Sequence, residues 1–337
     1  MMRTYKVGVI GCGVIGGHHA SGLVGLPNAT LAAACDVIPG TLNAFKQRWN
    51  DSWPNISMYT DHREMLKKED LDIVTVATSD HLHADLVVNA SNAGVKGIFC
   101  EKPLATNLAD ADRMIEAVER NNTILSIDHT RRWVPLWRYT KEEVVGKNAI
   151  GRVQCILGFL TGGRAMLFRN GTHIIDMICY FADSAPEWVS AELETGYEDY
   201  WEYRGDGGHD PATEPAAHGY IHFANGVRGF YVGGPKTTRR MLRLEIIGTK
   251  GFIFIEDAFT EPRAQIRTSD KYEDIQIPTW DVVGIPAGVQ ELVSIVDEGG
   301  EPVSPGRAGR EVVEIILGFL DSNRHNNAKV KIPLPRD

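Results

Sequence analysis

The stretch from Val7 to Asp36 constrains this chain more than any other. An apolar run, Val7-Gly8-Val9-Ile10, leads straight into Gly11-Cys12-Gly13-Val14-Ile15-Gly16. A helix-like segment then runs to Leu26, and a second apolar run from Leu31 to Cys35 closes on Asp36. A Gly-x-Gly-x-x-Gly sextet alone is common. Set between a strand and a helix, with an acidic residue ending the next strand 20 positions after Gly16, it has the context that a dinucleotide-binding turn requires. Gly11 permits the tight turn, Gly13 lets the backbone approach a pyrophosphate, and Gly16 lets the helix lie against the strand. Val14 and Ile15 open that helix, where free amides and the helix dipole favour a phosphate. Asp36 is expected to accept hydrogen bonds from the adenosine ribose and to repel the additional phosphate of NADP, so NAD is the expected cofactor. The alternative is a glycine turn in an α/β protein that binds no nucleotide.

With 337 residues the chain suits two domains of ordinary size, each able to bury a core. A hydrophobic content of 43% and a charged content of 23% are those of a soluble globular protein. No apolar run approaches the roughly 18 residues that span a bilayer, and Met1-Met2-Arg3 leads into the first strand without a signal-peptide pattern. A cytoplasmic location with no membrane partner is therefore expected. The net charge of −9 comes from interspersed acids and bases, which gives no nucleic-acid surface. Cys12, Cys35, Cys100, Cys155 and Cys179 are odd in number and scattered through apolar runs. They read as buried hydrophobes, and neither a disulfide nor a metal site is expected.

After Asp36, strands and helices alternate. Helices are predicted over Thr41 to Trp49, from a capping residue at Asp61, over His81 to Ala93 and over Asn107 to Arg120. Strands are predicted at Ser57 to Tyr59, Leu71 to Ala77, Gly97 to Cys100 and Thr123 to Asp128. This is the pattern of a doubly wound parallel sheet. Beyond His129, strands dominate: Arg152 to Leu157, Trp188 to Glu192, Gly219 to Phe223 turning at Asn225-Gly226 into Val227 to Val232, Leu242 to Ile247, and Gly251 to Ile255. One helix from His173 to Phe181 interrupts them, and helices over Pro286 to Glu298 and Ala308 to Asn323 follow. The predicted fold class is α/β: an amino-terminal Rossmann sheet over residues 1–129, then an α+β domain with a large, mainly antiparallel sheet over 130–337. Tyr197 to Gly208 reads as a hairpin or insertion whose aromatics suit either a sugar or an oligomer contact.

In a doubly wound sheet the ligand lies beyond the carboxyl ends of the strands. Three such places carry unusual residues: Thr78-Ser79-Asp80-His81-Leu82-His83, Glu101-Lys102-Pro103, and His129-Thr130-Arg131-Arg132-Trp133. At these residues, at Gly11 to Gly16, at Gly171-Thr172-His173-Ile174-Ile175-Asp176 and at Glu245 to Gly251, the chain resembles the glucose-fructose oxidoreductase / inositol dehydrogenase (Gfo/Idh/MocA) family. The resemblance covers almost the whole length. It implies an NAD(P)-dependent oxidoreductase acting on sugars or cyclic polyols, with the carboxy-terminal sheet used for substrate binding and subunit packing. It implies that Lys102 is the active-site lysine, favouring the developing alkoxide. It further implies that His173 takes the hydroxyl proton, with Asp176 three residues on able to orient it. Thr78, Ser79, His81, His83, Glu101 and Lys102 are the expected cofactor contacts beyond the glycine turn. Two departures stand out. Arg169 occupies the place, four residues before the histidine, where many members carry aspartate, and Ser79-Asp80 replace the usual proline and asparagine.

The expected substrate contacts are His129, Arg131, Arg132, Arg164, Arg169 and Asn170. Four arginines among them suggest a sugar with an anionic group, such as a uronate or nucleotide-linked sugar, because guanidinium pairs bidentately with carboxylate and phosphate. The alternative reading has them meet the cofactor phosphates or a neighbouring subunit. Hydride transfer between nicotinamide and a carbinol carbon is the first functional expectation. An NAD-dependent glycoside hydrolase and a non-catalytic nucleotide sensor on the same scaffold are the alternatives. A homodimer or homotetramer is expected, since both faces of the second sheet carry apolar residues.

Overall fold

The computed structural model describes residues 3–162, 165–234, 241–257 and 262–335. They form two compact units.

The first unit is the predicted doubly wound domain. Its strands are β1 (Tyr5–Ile10), β2 (Ala29–Cys35), β3 (Ser57–Tyr59), β4 (Ile73–Val76), β5 (Gly97–Cys100) and β6 (Ile124–Ile127). They pair in the order β3-β2-β1-β4-β5-β6, all parallel. Helices α1 (Val14–Ser21), α2 (Pro39–Trp49), α3 (His62–Lys68), α4 (His83–Asn92) and α5 (Leu108–Arg120) make the crossovers. β4 and β5 are buried at every residue, as strands covered on both faces must be. Asp61 starts α3, its carboxylate accepting the Arg63 amide, a bond that typically contributes about 1 kcal/mol. The strand order reverses between β1 and β4, so the crevice for a ligand opens where the Gly11 turn and the Thr78 turn leave the sheet.

The second unit contains α6 (Pro135–Tyr139), β7 (Val153–Thr161), α7 (Thr172–Ala182), β8 (Pro186–Leu193), β9 (Ala217–Phe223), β10 (Arg228–Gly233), β11 (Met241–Gly248), β12 (Phe252–Asp257), β13 (Arg263–Arg267), β14 (Glu273–Asp274) and β15 (Val330–Lys331). The strands form one sheet in the order β14-β13-β12-β11-β7-β10-β9-β8-β15. Only β10 and β7 run parallel. Buried α7 packs on one face, where Ile174 and Ile178 lie over Gly158 and Gly229, positions at which any larger side chain would collide with them. On the opposite face the Arg243 guanidinium lies 4.2 Å from the Phe159 ring, Tyr220 meets Phe230 edge-on at 5.1 Å, and Phe230 and Phe252 are 36% and 43% exposed.

The structure departs from the sequence reading in three respects. Residues 282–310 belong to the first unit, although they follow the second in the chain. The reason is α8 (Ile285–Glu298), whose Val289, Leu292 and Val293 join the core around Phe99 and Trp133. Each such side chain contributes about 1.5–3 kcal/mol by leaving water. The last helix, α9 (Gly306–Arg324), starts in the first unit and continues in the second. The Tyr197 to Gly208 segment is a self-capped loop and not a hairpin. Asp206 accepts the amides of Gly208, His209 and Asp210, which removes those groups from strand pairing.

Candidate functional site

The glycine turn can be tested position by position. Gly11 has φ +90°, and a Cβ there would lie 2.2 Å from the Ala77 carbonyl oxygen. A Cβ at Gly16 would lie 1.9 Å from the Gly11 oxygen. Protein packing therefore demands glycine at both. At Gly13 a Cβ would meet nothing within 4 Å, so no neighbouring atom requires glycine there. What a side chain at Gly13 would fill is open space before the amino terminus of α1, where free amides meet an anion. The residues present fit a dinucleotide pyrophosphate. Val14 and Ile15, the first residues of α1, are 73% and 39% exposed.

Asp36, at the end of β2, is held at both oxygens: the Cys12 amide donates to Oδ2 and the Ile38 amide to Oδ1, each at 2.8 Å. The carboxylate is half-buried and retains further lone pairs for hydroxyl donors. The next two residues are apolar and open to water, Val37 at 80% and Ile38 at 58%. The sequence reading passed over them; an apolar pair directly after the acidic residue was the available signal.

Thr78 and Ser79 are half-buried after β4, and His81 is exposed with its amide donating to Asp80 Oδ1 at 2.8 Å. His83 is fully buried. Its Nδ1 lies 2.9 Å from the Pro103 carbonyl oxygen and its Nε2 3.2 Å from that of Thr78. Burial pushes its pKa down, and a neutral imidazole has one N–H, which belongs on the shorter contact to Pro103. His83 thus straps the turn after β4 to the Glu101-Lys102-Pro103 turn after β5. Lys102 is half-buried. Glu101 is 8% exposed, with Oε1 3.3 Å from His19 Nε2. Among the described residues, His19, Glu101 and Asp128 are the one group of such donors whose ligating atoms all lie within 4.8 Å.

After β6 the chain is mostly internal. His129 is 1% exposed with Nδ1 3.3 Å from Ser304 Oγ. Arg132 is 6% exposed and donates to the Val303 carbonyl at 2.6 Å. Arg131 is half-buried. The arginine expected at position 164 lies outside the described residues.

In the second unit, His173 sits in the first turn of α7, 7% exposed, and Asp176 is 0% exposed one turn on. The preceding turn, Leu167–Gly171, is clamped by a residue the sequence reading missed. Buried Glu214 accepts the Phe168 amide at 2.7 Å and the Arg169 amide at 3.1 Å through one oxygen. Nothing local could reveal this, because the pair is 45–46 residues apart in the chain. The Arg169 side chain donates to the Gly207 carbonyl at 3.2 Å, so it helps to hold the 203–210 loop. Half-buried Asn170 belongs to the same turn.

Comparison with known proteins agrees with this architecture. Residues 5–129 match the model of the oxidoreductase family with an NAD-binding Rossmann fold, and residues 159–254 match the GFO/IDH/MocA C-terminal domain. The chain is 29% identical to a myo-inositol 2-dehydrogenase of Thermotoga maritima over 267 residues, 75% of each chain. It is 32% identical to a D-apiose dehydrogenase of Paraburkholderia graminis over 189 residues, 52% of this chain and 49% of that one. A levoglucosan dehydrogenase solved with NADH and L-sorbose shares the fold, with a TM-score of 0.83 at 21% identity, over 98% of this chain and 100% of that one. With both halves of the chain matched and the glycine turn and Asp36 shaped for NAD, the protein belongs to the Gfo/Idh/MocA family of NAD-binding oxidoreductases.

Proposed function

We propose that the protein is an NAD-dependent dehydrogenase or reductase that moves a hydride between nicotinamide and a carbinol carbon of a sugar or cyclic polyol. The supporting observation is the placement of Lys102 directly after β5, in a turn strapped by His83 and anchored through Glu101. NAD, when bound, supplies the hydride acceptor or donor. Gly13 and the start of α1 hold its phosphates, Asp36 its adenosine ribose, and Val37 with Ile38 offer an apolar seat for the adenine. Lys102 donates a hydrogen bond to the substrate oxygen and stabilises the charge that develops there. His173 accepts the hydroxyl proton during oxidation and returns it during reduction. Asp176 orients His173. Arg169 cannot serve as a proton acceptor at neutral pH, so no relay passes through that position.

The substrate class is supported by relatives named as inositol and apiose dehydrogenases. Arg132 and Arg169 each donate to a backbone carbonyl within their own unit, which favours a neutral polyol over a sugar acid. The test is a rate panel of inositols, aldoses and matched uronates followed by NADH absorbance. Neutral substrates are expected to exceed their acid counterparts by about tenfold or more in kcat/KM. A reversed order would restore the anionic reading, and aglycone release at constant NADH would replace both by glycoside hydrolysis.

We further propose a cytoplasmic homodimer or homotetramer assembled on the open face of the second unit's sheet. Apolar Phe159, Phe230, Phe252 and Phe254 on that face support it, because aromatic side chains grouped on one sheet face suit an interaction surface. Phe230→Glu is expected to shift the mass measured by light scattering to that of a monomer. A wild-type monomer at micromolar concentration would reject this assembly.

A further inference from the structure

Three ionisable side chains meet out of water beside the active-site turn. His19 of α1, Glu101 after β5 and Asp128 after β6 are 0%, 8% and 1% exposed. His19 Nε2 lies 3.3 Å from Glu101 Oε1, and the nearest donor atoms of all three fall within 4.8 Å. The His19 ring is edge-on to Phe99 at 5.1 Å. Thr130 Oγ1 donates to Asp128 Oδ1 at 2.9 Å. Burial keeps the neighbouring Cys100 thiol protonated.

Two carboxylates this close cannot both remain ionised without water. The hydrogen-bond pattern says which one holds a proton. Asp128 Oδ2 is buried with no donor directed at it. A proton on that oxygen converts it from an orphaned acceptor into a donor facing Glu101. Burial first, and the Glu101 charge second, hold Asp128 well above the usual carboxylate range. Burial likewise pushes His19 down to about 4. The imidazole is therefore neutral, and its one proton belongs on Nε2, facing Glu101.

We infer that His19, Glu101 and Asp128 form a proton-sharing triad carrying a single negative charge on Glu101, and that this triad positions Lys102 through the Glu101–Lys102 peptide. The positioning role rests on the reading of Lys102 given above; the proton itself does not. Glu101 receives one hydrogen bond from His19 and one from Asp128, which fixes the residue before the lysine. When Asp128 loses its proton, a second buried negative charge faces Glu101 and the turn is driven apart. The folded chain holds a proton on Asp128 that the unfolded chain, with the ordinary value of 3.8, gives up. Stability from this site is thus fully present below that value and falls as pH rises toward the raised folded value.

The test compares the full-length wild type with Asp128→Asn, which keeps a donor to Glu101 but cannot ionise, and with Asp128→Ala, which keeps neither. The wild-type infrared spectrum is expected to contain the carbonyl stretch of a buried protonated carboxylic acid, and Asp128→Asn to lack it. Asp128→Asn should keep kcat within about threefold at neutral pH and remove the fall in both kcat and melting temperature that the wild type shows as pH rises and Asp128 ionises. Asp128→Ala should lower kcat by about tenfold or more with KM for NAD nearly unchanged. Absence of the carboxylic band, or one tightly bound divalent metal per purified chain, would overturn the shared proton. Asp128→Asn as impaired as Asp128→Ala, or Asp128→Ala with normal turnover, would overturn the positioning role. The infrared, metal and melting measurements need no substrate, so an error in the substrate class leaves them intact.

Discussion

Lys102→Ala and His173→Ala are each expected to lower kcat by about a hundredfold or more while changing NAD affinity by less than about threefold. The separation follows from where these groups stand. On the proposed reading the pyrophosphate and ribose contacts come from the Gly11 to Gly16 turn and from Asp36, which are positioned by β1, β2 and the end of β4. Neither Lys102 nor His173 takes part in those contacts, so removing either side chain leaves them as they are. Lys102 instead follows β5 in a turn strapped by His83, and in the proposed role its ammonium interacts with the substrate oxygen most strongly when negative charge has built up there. That is an interaction of the transition state and appears in kcat. His173 lies in the first turn of α7, just after the Leu167–Gly171 turn that Glu214 clamps through the Phe168 and Arg169 amides. The measurements are steady-state kinetics on the substrates found by the panel and fluorescence titration with NADH. Near-normal turnover of His173→Ala would move the base to Lys102 or Asp176.

Gly13→Val and Gly16→Ala should separate binding from folding within one turn. A Cβ at Gly13 would meet no neighbouring atom within 4 Å, so Gly13→Val is expected to melt within about 2 °C of the wild type. The same side chain takes up the space in which a pyrophosphate approaches the backbone, and NAD affinity should fall by about a hundredfold, equivalent to about 2.7 kcal/mol. At Gly16 a Cβ would lie 1.9 Å from the Gly11 carbonyl oxygen, a backbone atom that cannot swing aside. Gly16→Ala should therefore lose about 2–4 kcal/mol of stability. Asp36→Ala completes the set. It removes the hydroxyl acceptor and the charge that repels an additional phosphate, so NAD should weaken more than NADP, read by titration with each cofactor. It also frees the Cys12 and Ile38 amides, which adds a modest loss of stability. Equal binding of NADP and NAD by the wild type would reject the role given to Asp36.

Local patterns in the sequence determined the parallel sheet of the first unit and its crossover helices. Parallel strands buried on both faces must be short continuous apolar runs, and their crossovers must be amphipathic helices with punctuated ends. Val7 to Ile10, Ile73 to Val76 and Gly97 to Cys100 could therefore be read directly, as could the glycine turn whose chemistry depends on residues close together in the chain. The Glu101-Lys102-Pro103 and His173 to Asp176 segments stood out through their resemblance to the Gfo/Idh/MocA family. Tertiary structure alone decided that residues 282–310 return to the first unit, because an apolar helix face is satisfied by any core of matching shape, and the core that includes Phe99 and Trp133 is the one that receives it. The short edge strands β14 and β15, and β13 beside β14, likewise exist through their pairing partners. Charge was the least legible property. Arg132, Arg169, His83 and Asp128 look alike as polar residues near strand ends or helix starts, yet each is assigned its role by a carbonyl or carboxylate elsewhere in the chain. A single side chain's pattern records whether it prefers water; it holds no record of the distant group that will replace water when the chain closes.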